Sequence, residues 1–125
     1  MAAKRVGASK AKQFLQAPLT GRERVLRALN HQSADRVPVD LGGTPCSGAH
    51  VSIVANLRRA LGLDKAGARV KVTEPYQMLG EMAADLRQVL GIDVVHLPNR
   101  TNMFGYENTG WKPWRTFDGT EWPCE

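Results

Sequence analysis

Apolar residues recur along this chain at two spacings, and the switching between them predicts alternating helices and strands. Thr20-Gly21-Arg22-Glu23 has the form of a capping box, the Thr20 hydroxyl accepting the Glu23 amide while the Glu23 carboxylate reaches back. Leu19 precedes it, and Val25, Leu26 and Leu29 give a short helix over about 21–30 one apolar face. Arg36-Val37-Pro38-Val39-Asp40-Leu41 reads as a strand, placed by its proline at an edge, a strand start or a bulge. Gly42-Gly43-Thr44-Pro45 stops it.

Val51, Val54, Leu57 and Leu61 return to helical spacing over about 48–61, with Ser47 as the expected N-cap and Gly62 as the residue past the end. Arg69-Val70-Lys71-Val72 is a short strand or an extended link. Pro75 suits a helix N1 position, and Met78, Leu79, Met82, Leu86, Val89 and Leu90 line one face up to Gly91, with Gly80 as a point of division. Ile92-Asp93-Val94-Val95-His96-Leu97 is the second clear strand. Helix, strand, helix, a short strand or link, helix, strand in this order is the grammar of an α/β protein with parallel strands, and two or three such strands leave edges to be covered. Six of the eight aromatic residues follow position 103, and Asp118-Gly119 predicts an aromatic hairpin between Trp114 and Trp122. Such a hairpin needs a surface to pack on.

Composition changes this picture little. The net charge of +5 sits mostly in residues 1–19, where Lys4, Arg5, Lys10 and Lys12 meet no acid. A flexible basic leader over about 1–18 is expected, with the folded portion over 19–125. Because the leader and not a structured face carries the charge, a nucleic-acid partner is not expected. The remaining nucleic-acid reading is binding through the leader alone, with a steep salt dependence. No run approaches the roughly 18 apolar residues of a membrane span. The leader lacks the apolar core of a secretory signal, and Cys46 and Cys124 lie far apart, outside any C-x-x-C. A cytoplasmic location with reduced thiols is the expectation.

The run from Leu19 to His31, followed by Asp35-Arg36-Val37-Pro38-Val39-Asp40, resembles the opening of uroporphyrinogen decarboxylase superfamily proteins, a short R-E-R helix and then a D-R-(V/I)-P-V strand. Leu90-Gly91-Ile92-Asp93-Val94-Val95 and the aromatic segment from Trp111 to Trp122 are similar to less characterised members. The resemblance spans roughly 19–125 and implies a (β/α)₈ barrel, of which this chain would hold about half of the typical ~250 residues. The expectation is therefore a partial barrel, inactive alone, from a porphyrinogen decarboxylase (a lyase) or a corrinoid-dependent methyltransferase. The decarboxylases follow the P-V strand with W-x-M-R-Q-A-G-R, whose arginines hold substrate carboxylates; those positions fall near Gly43 and Ser47 here. The catalytic aspartate of an F-S-D run falls near Pro98. Neither feature is present, and a guanidinium fork is hard to replace, which tilts the expectation toward methyl transfer. In the methyltransferase-like parent, zinc would be held by His and Cys ligands in the later barrel. A corrinoid protein would be the partner, a small molecule the substrate, and a homo-oligomer the assembly. No cofactor is expected in this chain.

Barrel sites lie at the C-terminal ends of the strands, which singles out Asp40 through His50. Asp40, Gly42, Gly43, Thr44, His50 and His96 are the candidate substrate-binding residues, and no catalytic residue is assigned. Gly42 and Gly43 let backbone approach a ligand, and free amides at the next helix would favour an anion. The alternative is an ordinary tight turn. Cys46 and His50 are four apart, but two ligands do not make a zinc site. His96 either faces the barrel mouth or is a satisfied core imidazole, and His31 sits past a helix end, where its cation would suit the dipole. The rival from another class is a small stand-alone α/β binding or assembly module.

Overall fold

The computed structural model describes residues 18–65 and 67–115. The expected leader, apart from Pro18, and the expected aromatic hairpin, apart from Trp114 and Arg115, lie outside the described residues. Among the described residues the chain is a mixed α/β arrangement of three helices and a two-stranded antiparallel sheet.

Helix α1 (Gly21–Leu29) starts where expected, because the capping box forms in full. The Glu23 amide donates to Thr20 Oγ1 at 3.2 Å, and the Thr20 amide donates to Glu23 Oε2 at 2.9 Å. It ends through His31, whose φ of 54° is left-handed; the next amide, of Gln32, closes on the Arg27 carbonyl at 2.8 Å.

Helix α2 (Val51–Ala60) differs from expectation at its start. Its cap is His50, whose Nδ1 accepts the Ser52 amide at 3.3 Å. Ser47 is drawn elsewhere, its hydroxyl donating to Asp40 Oδ1 at 3.0 Å. Gly62 follows the helix with a φ of +68°, as expected.

The larger correction concerns 75–83. Instead of a helix opening at Pro75, the chain makes a hairpin of β1 (Val72–Glu74) and β2 (Leu79–Gly80), with Val72 opposite Gly80 and Glu74 opposite Leu79. The Glu74 carboxylate takes the Tyr76 amide at 2.9 Å and the Gln77 amide at 2.6 Å, so the bend is fastened from within. Gly80 explains the other half. A Cβ there would lie 3.0 Å from the Val51 Cα, so glycine lets β2 press closely onto α2. Helix α3 (Ala84–Leu90) carries the rest of the predicted stripe and ends at Gly91 with φ 64°.

The core gathers Val51, Val54, Ala55, Val70, Met82 and Leu86, with Val51, Val54 and Leu86 wholly buried. Burying each such side chain is worth roughly 1.5–3 kcal/mol. Arg58, on α2, holds Asp64 just past the helix end at 2.6 Å and binds α2 to α3 through Asp85 at 2.8 Å.

Residues 36–41 and 92–97 form no β-ladder among the described residues. One main-chain bond joins the two segments, from the Asp93 amide to the Val39 carbonyl at 2.9 Å. Arg36 reaches the Gly91 carbonyl, and Val39, three residues on, meets Asp93, two residues on; the two segments thus advance in the same direction. The main-chain amides of Val94, Val95, His96 and Leu97 find no acceptor among the described residues. Val37 and Leu97 are 81% and 84% exposed, so neither an apolar layer nor a further strand covers them here. A closed barrel is not present among the described residues.

Candidate cleft at the ends of the extended segments

Both extended segments lead into the same open cleft of about 730 Å³. Gly42, Thr44 and Gly48 border it from the first segment, and His96, Pro98 and Asn99 from the second. The β1–β2 bend adds Glu74 and Tyr76, and the loop beyond Asn99 adds Arg100 and Asn102.

What holds the two segments in place is a charged network behind the cleft. Arg24, on α1, is 4% exposed and donates from Nε to Asp35 Oδ1 at 2.6 Å and from Nη1 to Asp93 Oδ1. Arg36 grips the other Asp93 oxygen at 2.7 Å, and the Val39 amide donates to it at 2.9 Å. The Asp93 side chain is 3% exposed, so these donors replace its lost water. Burial pushes the Asp93 carboxyl up, but the Val39 amide and the Arg36 and Arg24 guanidinium groups outweigh it and hold it below its ordinary value. Asp35 is held low chiefly by its hydrogen bond from Arg24. Gly21 fits against this network, since a Cβ there would lie 3.2 Å from the Asp93 main chain.

The loop from Asp40 to Ser47 is closed on itself. The Gly43 amide donates to Asp40 Oδ1 at 2.9 Å, the Gly42 amide to the Ser47 carbonyl at 3.0 Å, and the Thr44 amide to Ser47 Oγ at 3.2 Å. A Cβ on Gly43 would come within 2.5 Å of Val94 Cγ1 and 2.6 Å of Asp40 Oδ1, so this glycine serves close packing. The main-chain amides of Gly42, Gly43 and Thr44 are therefore engaged by the loop's own acceptors. At the start of α2, where free amides were expected, the Val51 amide donates to the Met78 carbonyl at 2.8 Å and the Ser52 amide to His50 Nδ1.

Of the six candidate residues, Gly42, Thr44 and His96 border the cleft. Asp40 and Gly43 shape the loop from behind, and His50 caps α2. His96 is half-buried.

Spacing did not reveal the cleft's two other walls, the Glu74–Met78 bend and the loop from Asn99 to Asn108. In that loop Asn102 Oδ1 accepts the Phe104 and Tyr106 amides at 3.0 and 3.1 Å, and Asn108 Nδ2 donates to the Asn99 carbonyl at 2.9 Å. Asn102, Gly105 and Asn108 are turn-forming residues whose pattern was the available signal.

Cys46 lies exposed on the loop, while His50 Nδ1 is engaged at its cap. Among the described residues no group of three or more His, Cys, Asp or Glu is placed to hold a metal ion. No helix among them is long and apolar enough to cross a membrane. Compared with protein-family models, with curated proteins and with solved structures, the chain matches none.

Proposed function

We propose that this chain supplies the first β/α units of a (β/α)₈-barrel enzyme of the uroporphyrinogen decarboxylase superfamily, and that its cleft is one wall of a small-molecule site. The observation that carries this reading is the convergence of the residues behind the resemblance. Arg24 of the R-E-R run, Asp35 and Arg36 of the D-R-V-P run and Asp93 of the later G-I-D-V run meet in one network centred on the buried side chains of Arg24 and Asp93. It draws α1 and two co-directional extended segments together, and the cleft opens where both segments end. That is where barrel enzymes hold their substrates. The amides of 94–97, without an acceptor among the described residues, and the exposed Val37 and Leu97 are what strands awaiting neighbours present.

Within the superfamily, methyl transfer from a corrinoid protein is favoured over decarboxylation. The carboxylate-binding arginines would fall near Gly43 and Ser47, neither of which is basic, and both are engaged in closing the loop. No zinc ligands are assigned in this chain; in the parent they would come from the later barrel. The proposed setting is cytoplasmic, and a homo-oligomeric parent is part of the proposal.

The test is to isolate the native gene product and follow loss of the methyl–cobalt absorbance of methylcobalamin with zinc and a thiol acceptor. Demethylation by the native product, with no turnover by the isolated 125-residue chain, is expected. Release of carbon dioxide from uroporphyrinogen by either would overturn the preference for methyl transfer. A second reading, a stand-alone α/β binding or assembly module, draws on the core of Val51, Val54 and Leu86, which is already closed. Size-exclusion chromatography with circular dichroism separates the two: a cooperative monomer or dimer supports the module, an aggregating or molten chain the barrel portion.

A further inference from the structure

We draw no further inference here: the strongest candidate, the groove of about 400 Å³ beside the β1–β2 bend lined by Pro75, Met78, Trp111 and Trp114, carries nothing because its polar neighbours Asn102, Glu107 and Asn108 are engaged within their own loop and nothing among the described residues shows what covers the indole faces.

Discussion

Replacing Asp93 by Asn tests whether the charged network sets the relation between the two extended segments. The carboxylate accepts four hydrogen bonds, from Arg24 Nη1, from Arg36 Nη1 and Nη2 and from the Val39 amide. Asparagine keeps one acceptor oxygen and turns an N–H₂ toward guanidinium donors. The Arg36 contribution is small, since that side chain is 41% exposed and recovers water. Arg24 and Val39 bond opposite oxygens, so one of the two is left facing the N–H₂ whichever oxygen is kept, and Arg24 loses its buried counter-charge either way. A hydrogen bond to a buried charge is worth about 1.5–3 kcal/mol, and a buried ion pair broken on one side costs about 3–5 kcal/mol. A loss of about 3 kcal/mol is expected for Asp93→Asn, a large share of the roughly 5–15 kcal/mol that holds a domain folded. Urea unfolding followed by circular dichroism at pH 7 reads it: at a slope of about 1.5 kcal/mol per molar, the midpoint falls by about 2 M. Because Asp93 is held below its ordinary pKa, its stabilisation is present above about pH 4 and lost as pH falls through the folded value. The gap between parent and variant should therefore narrow in acid. A change below about 0.5 kcal/mol at pH 7, or a gap that does not narrow, would refute the reasoning.

Leu86→Ala empties a wholly buried site and should cost about 2–5 kcal/mol in the same urea titration. His31→Gly relieves a left-handed φ of 54° at an exposed helix end and should raise the melting temperature, by about 0.5–1 kcal/mol of stability. Acid should destabilise the parent through Asp85 as well, whose carboxyl is lowered to about 2, first by its hydrogen bond from Arg58; that stabilisation is intact above the ordinary carboxylate range and fades between about pH 4 and 2. Gly43→Ala should collide with Val94 and Asp40 and cost about 1–3 kcal/mol, with faster hydrogen exchange of the main-chain amides at positions 42–44. Unchanged exchange there would contradict the closed loop.

Local features of this chain were legible, and distant ones were not. The capping box at Thr20 and the glycines at 62 and 91 act within a turn or two of their own positions, so spacing alone finds them. The stripe from Met78 to Leu90 misled because a buried hairpin arm next to a short helix presents apolar residues at intervals that mimic one longer helix. Pro75 and Gly80, read as a helix start and a division, instead belong to a bend fastened by Glu74 and to a close approach on Val51. Asp93 lies 69 positions from Arg24, and no periodicity links them. His50 escaped as a cap because imidazole is an uncommon choice beside Ser47, whose hydroxyl is held by Asp40. Gly42, Thr44 and His96, named from strand ends, border the cleft, while the walls built by the bend and the Asn102 loop came only from tertiary packing.

The self-closure of residues 40–47 limits how a guest could be recognised. With three successive loop amides already donating inward, selectivity would fall to side chains on the facing walls, around Tyr76 and Asn99. Tyr76 and Asn99 are exposed whereas Leu86 and the Asp93 side chain are buried, so in the proposed site a change of ligand preference and a change of foldedness would travel on separate residues.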